Sequence, residues 1–95
     1  MDVEKAIGAK IEPKLRDAFG PTITRSLLTM ATLAYVTTVG PKVQRYRALV
    51  DSICSDEGVV QQWGEANSAK QAREWKELVR LDSETVVIVT SEPSG

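Results

Sequence analysis

The apolar positions of residues 21–39 point in almost every direction around a helix. This stretch lies between Gly20-Pro21 and Gly40-Pro41 and carries a single charge, Arg25. A helix that is apolar nearly all round is typical of a buried position, and glycine followed by proline is a common junction between two helices. The pattern therefore predicts a buried central helix at about residues 21–39, against which the flanking helices pack.

Amphipathic patterns predict helices on both sides of this stretch. Apolar residues recur at every fourth position from Val3 to Phe19, with Asp2 as the expected N-cap. Pro13 predicts a kink or a split in this first helix, because proline lacks an N–H group and restrains the residue before it. From Pro41 to Cys54 the apolar residues fall on one face, which predicts a third, amphipathic helix.

Capping signals predict two further helices in the C-terminal half. The run Ser55-Asp56-Glu57 is typical of a helix start, and Gly64 is expected to end this short helix. Ser68 and Gln71 have the spacing of a capping box. They predict a last helix that runs from Ser68 to about Leu81.

Residues 85–90, Thr-Val-Val-Ile-Val-Thr, are β-branched at every position, which predicts a short extended or β segment. The predicted fold is thus all-α, a bundle of four or five helices in residues 1–84, followed by an extended apolar segment and flexible tail in 85–95.

No other part of the chain reads as a strand that could pair with residues 85–90, so three interpretations stay open. The segment could pair with its own copy across a two-fold axis and form a homodimer. It could add to the sheet of another protein, or it could lie extended along the bundle or simply lead into the tail. Self-association would use Val86, Val87, Ile88 and Val89.

Composition argues against catalysis and metal binding. The 95 residues form one domain, with a net charge of −1, no histidine and one cysteine. Without histidine the chain lacks the commonest general base and the commonest zinc ligand. Cys54 is expected at the C-terminal end of a helix, where the dipole disfavours a thiolate. We therefore predict no enzymatic activity, no metal site and no cofactor.

The same composition predicts a cytoplasmic protein that does not enter a membrane. The single cysteine suits a reducing compartment, and the N-terminal residues do not resemble a signal peptide. The uncharged run at residues 26–39 has 14 residues, fewer than the ~20 that span a bilayer.

A basic stripe on the last predicted helix indicates an alternative function, nucleic-acid binding. The short helix before Gly64 and the basic helix after it resemble a helix-turn-helix in outline. Glu74 and Glu77 oppose this interpretation because they would repel phosphate. The stripe consists of Lys70, Arg73, Lys76 and Arg80.

A ladder of hydroxyl side chains on the central helix suggests a third function, because ligand sites of helical bundles are built inside the bundle. The ladder consists of Thr22, Ser26, Thr29 and Thr32. By exclusion, the function we expect first is a protein–protein interaction or regulatory module that forms a homodimer or binds another protein. Nucleic-acid binding and the binding of a small apolar ligand follow as second and third.

Overall fold

The computed structural model describes the backbone of residues 2–91 and the side chains of residues 2–79. This part of the chain consists of helices and short connections, which confirms the all-α prediction. The elements are α1 (Val3–Ala6), a π-helical turn (Ile7–Ile11), α2 (Glu12–Thr37), α3 (Lys42–Cys54), α4 (Glu57–Trp63) and α5 (Glu65–Ser91).

The N-terminal helix accommodates Pro13 without splitting. Asp2 caps α1, and its carboxylate accepts a 2.8 Å hydrogen bond from the backbone N–H of Lys5. The helix then widens into the π-helical turn, where the N–H of Glu12 bonds the carbonyl of Ile7, five residues earlier. This wider turn directly precedes Pro13, which lies in the first turn of α2, where a missing N–H group costs little.

Helix α2 changes direction at Gly20, as the Gly-Pro junction predicts. Gly20 has φ 84° and ψ 167°, which is far from helical geometry and is a region open almost only to glycine. Pro21 then begins the second half of α2, residues 21–37. Gly40 and Gly64, with φ 134° and 90°, make the connections to α3 and α5 in the same way.

Helix α3 lies at the centre of the core, in contact with both α2 and α5. Its side chains Tyr46, Leu49, Val50 and Ile53 are at most 2% exposed. Helix α5 contributes the buried residues Ala72, Trp75 and Val79, and the N-terminal helix contributes the buried residues Val3, Ala6, Ile11 and Leu15.

The prediction that residues 21–39 form a buried central helix is wrong. One side of this stretch faces the core, but several of its large apolar side chains are exposed to solvent. An apolar helix is buried all round only when neighbouring elements cover every side. Among the described residues, α2 has neighbours on one side, and α3 takes the central place.

The start of α5 also differs from the prediction. A single residue, Gly64, connects α4 to α5, and the new helix begins at Glu65 rather than at Ser68. The N–H of Ser68 already donates a 2.9 Å hydrogen bond to the carbonyl of Gly64. Ser68 therefore lies inside the helix, and its side chain caps nothing.

The predicted strand at residues 85–90 is not confirmed, because α5 continues through these positions to Ser91. Strand preference depends on packing against neighbouring strands, and the described residues include no strand. No glycine or proline interrupts residues 65–91, so a helix begun at Glu65 can propagate cooperatively. The boundary predicted after residue 84 falls within this helix.

Candidate interaction surface

The second half of α2 presents an apolar surface to solvent. Four of its side chains lie within about 140° of one another around a helix of 3.6 residues per turn, and a fifth follows the helix end. They are Ile23, Met30, Leu33, Val36 and Val39, with exposed fractions of 52%, 63%, 56%, 61% and 88%. We call these five residues the α2 face.

The opposite side of the same helix packs on the core. Thr24, Leu27 and Ala31 are buried there, and Leu28 and Tyr35 are half-buried beside them. Helix α2 therefore carries large apolar side chains on two sides, one against the core and one facing solvent. Soluble monomers rarely expose a contiguous apolar patch larger than a few hundred Å², so the α2 face is a candidate for contact with another surface.

The surroundings of the α2 face carry little charge. Arg25 lies at its edge, and the next charged residue along the chain is Lys42. Two hydroxyl groups near the α2 face are bonded within the helix: Thr29 Oγ1 donates to the carbonyl of Arg25 and Thr37 Oγ1 to that of Leu33, both at 2.8 Å. Because these polar groups already have partners, covering them costs less than covering free hydroxyls.

The residues of the predicted basic stripe differ in exposure and in their ion pairs. Lys70 and Arg73 are exposed on α5. Lys76 is half-buried, and its ammonium group forms an ion pair with Asp51 of α3 at 2.7 Å. The side chain of Arg80 lies outside the described residues. The one-residue connection at Gly64 is also shorter than the three- or four-residue turn of a helix-turn-helix.

The predicted hydroxyl ladder lies on the surface rather than inside the bundle. All four members are exposed. Thr29 and Thr32 line an open cleft of about 300 Å³, together with Arg16 and Arg25. Thr22, Ser26 and Thr29 thus lie among the side chains of the α2 face, and Thr32 lies beside it.

A second cleft, of about 400 Å³, lies at the junction of α4 and α5 and combines aromatic and polar groups. The ring of Trp63 packs between Phe19 and Trp75, with centroid distances of 5.5 and 6.1 Å. Lys14 Nζ lies 5.8 Å from the centroid of the Trp63 ring on the open side, which is a favourable cation–π distance. Lys70 lines the same cleft.

The single cysteine is placed as a core residue. Cys54 is 8% exposed at the end of α3. Burial, followed by the negative charge of Asp51, raises the pKa of the Cys54 thiol to about 12, while Lys76 acts in the opposite direction. The side chain is therefore an unreactive thiol at neutral pH.

The predicted self-association residues lie in the last part of α5. Val86, Val87, Ile88 and Val89 have helical backbone, and their side chains lie outside the described residues. Their role stays a prediction.

Sequence reasoning missed the α2 face because it took all of residues 21–39 as core. One signal was available: Ile23, Met30 and Thr37 are spaced by seven residues, and so are Ser26 and Leu33. This heptad spacing is typical of a helix that pairs with another helix.

Within the described part of the chain, no helix is both long enough and apolar enough to cross a membrane.

Comparison of the chain with protein-family models, with curated proteins and with solved structures finds no match.

Proposed function

We propose that this protein is a non-enzymatic protein–protein interaction module and that the α2 face is its binding surface. The observation that carries the proposal is the exposure of five large apolar side chains on one face of α2 and just beyond its end, with no charged residue between Arg25 and Lys42. Large apolar side chains that are exposed together on one helix face mark a site of contact with another protein.

Two further features support an interaction role. The chain has no histidine, and its one cysteine is buried with a raised thiol pKa, so it lacks the commonest general base and its one thiol is a poor nucleophile at neutral pH. The hydroxyls of Thr29 and Thr37 are bonded to the helix backbone, so a partner can cover them without breaking a hydrogen bond to the protein.

Nucleic-acid binding is the alternative, and the exposure of Lys70 and Arg73 favours it. Their replacement by alanine should weaken retention on DNA at low salt if they contact phosphate. Unchanged retention would remove this alternative.

Site-specific photo-crosslinking in cells tests the interaction module. A photoreactive amino acid placed at Leu33 of the full chain should yield a protein adduct of discrete mass. The same probe at Gln61, an exposed residue of α4, is the matched control and should yield none.

A Met30→Glu change in the Leu33 probe variant should abolish the adduct while the helical circular dichroism stays unchanged. A carboxylate in an apolar interface loses its hydration without gaining a partner. Identical adducts from Leu33 and Gln61, or no discrete adduct from Leu33, would overturn the proposal.

A further inference from the structure

The α2 face carries no ionised group, which is what pairing with its own copy requires. In a two-fold dimer the same patch meets itself, so any charge near the axis meets a charge of the same sign. The stretch from Ser26 to Val39 has only Tyr35 as an ionisable residue, and Tyr35 is half-buried on the other side of the helix. Two α2 faces can therefore come together without burying a charge.

Small and large side chains are ordered along α2 so that they match those of a second α2 running in the opposite direction. An antiparallel pairing whose axis passes between Thr29 and Met30 keeps each side chain on its own flank of the face, so Met30 lies next to Met30 of the second copy. The same register places Ser26 opposite Leu33, so that a small side chain faces a large one. This alternation lets two helices approach closely.

Arg25 favours the antiparallel over the parallel arrangement. It is exposed at the edge of the α2 face, near the start of the second half of α2. In the antiparallel register it lies beside Val36 of the second copy, within the last turn before that helix ends at Thr37. Cations are favourable near the carbonyl end of a helix. A parallel pair would instead place the two Arg25 side chains next to each other.

Resting on the proposed function, we infer that the partner of the α2 face is a second copy of this chain, paired antiparallel about an axis between Thr29 and Met30. The face runs along residues 21–39. It therefore offers fewer residues than the ~20–30 that each partner contributes to a standard interface. The dimer should therefore be in exchange with the monomer at micromolar concentrations.

Native mass as a function of concentration tests the dimer on the purified full chain. Sedimentation from roughly 1 µM to 1 mM, a range that covers weak dimers, should show the mass rising from one copy to two. Leu33→Glu should raise the dissociation constant at least about tenfold. Gln61→Glu adds the same charge on α4 and should leave the dissociation constant unchanged.

Disulfide trapping tests the orientation in a Cys54→Ala background, which removes the native thiol. Met30→Cys lies next to the axis and should form a disulfide with its own copy. Ser26→Cys should form none alone but should cross-link to Leu33→Cys when the two variants are mixed, since these positions face each other. Self-linking of Ser26→Cys without the mixed product would overturn the antiparallel arrangement.

A monomer at every concentration would overturn the dimer, and so would a dimer whose dissociation constant is unaffected by Leu33→Glu. Neither result contradicts the proposed function as an interaction module, because photo-crosslinking in cells tests that function separately. A discrete adduct from Leu33 with a monomeric purified chain would leave the proposed function in place and assign the α2 face to a different protein.

Discussion

The hydroxyl of Tyr46 in α3 donates a 2.6 Å hydrogen bond to the main-chain carbonyl of Trp75 in α5. Tyr46 is fully buried, and Trp75 is 3% exposed. A buried phenol without a partner would cost free energy, so the carbonyl of α5 determines where the ring of Tyr46 can lie. The bond joins residues 29 apart in sequence and fixes α3 against α5 in the centre of the core.

Tyr46→Phe should lower the free energy of unfolding by about 1 kcal/mol, because it removes one buried hydrogen bond and leaves the ring packing intact. Urea denaturation followed by circular dichroism measures this change. Tyr35→Phe, the same change at a half-buried tyrosine of α2, should have an effect within about 0.5 kcal/mol. Equal losses in the two variants would contradict the role of the Tyr46 bond.

Stability should fall as pH rises above about 9. The pKa of the Cys54 thiol is raised from its ordinary 9.0 to about 12 in the folded protein, first by burial and then by Asp51. Above pH 9 the unfolded chain therefore holds fewer protons than the folded one, so the free energy of unfolding decreases with pH. The decrease is at most about 1.4 kcal/mol per pH unit for one group.

Ionisation of the buried Tyr46 should also lower the free energy of unfolding, at a higher pH than that of Cys54. Burial raises the pKa of Tyr46 above its ordinary 10.0, so its contribution to stability is complete below pH 10 and is lost above it. Urea titrations at roughly pH 8, 9.5 and 10.5 measure both steps. Cys54→Ala should flatten the first step, and a slope unchanged by this variant would contradict the assignment to the thiol.

Local signals in the sequence predicted local structure well. Asp2 caps α1 as expected, α4 begins at the predicted start signal with Asp56 as its cap, and the Gly20-Pro21 junction is the bend of α2. Each of these features depends on the backbone geometry of a few neighbouring residues, which the sequence specifies directly. The amphipathic helix α3 was predicted for the same reason, since its apolar face is set by spacing alone.

Features that depend on distant partners were not predicted. Residues 21–39 are apolar all round, but burial depends on how many neighbours reach the helix, and this information is spread over the whole chain. The exposure of the α2 face was therefore not predicted, because the sequence alone does not show whether Met30 and Leu33 face the core or solvent. The strand predicted at residues 85–90 was not confirmed for a similar reason, because β-branched side chains favour a strand only where another strand can pair with them.

Two glycines of the N-terminal half should respond in opposite directions to alanine. Gly20 has φ 84° and ψ 167°, which is strained for any residue with a Cβ, so Gly20→Ala should lower the free energy of unfolding by about 1–3 kcal/mol. Gly8 lies in the π-helical turn and is exposed, and a methyl group added to it would meet no atom within 4 Å. Gly8→Ala should therefore raise stability by about 0.5–1 kcal/mol.

Thermal unfolding of both variants beside the unchanged protein measures these effects. Gly8→Ala is the matched control, since it adds the same methyl group to the same helical segment without the backbone strain. A Gly20→Ala variant as stable as the unchanged protein would show that residue 20 can adopt ordinary helical angles and that α2 does not need its bend.

The last prediction compares Asp56, which caps α4, with Ser68, which has only the sequence spacing of a cap. The carboxylate of Asp56 accepts hydrogen bonds from the N–H groups of Gly58 at 3.0 Å and Val59 at 3.3 Å. Asp56→Ala should therefore cost about 1 kcal/mol. Ser68 has the sequence spacing of a cap, but it is 2% exposed, and its hydroxyl has no hydrogen-bond partner among the described residues.

Ser68→Ala should leave the free energy of unfolding unchanged or raise it by up to about 1 kcal/mol, because it removes a buried hydroxyl without a partner and adds the best helix former. A capping box at Ser68 would instead predict a loss of about 1 kcal/mol. Urea midpoints compared at equal m-values distinguish the two outcomes. A loss at Ser68 as large as that at Asp56 would mean that α5 begins at Ser68, and that residues 65–67 form a connection rather than the first turn of the helix.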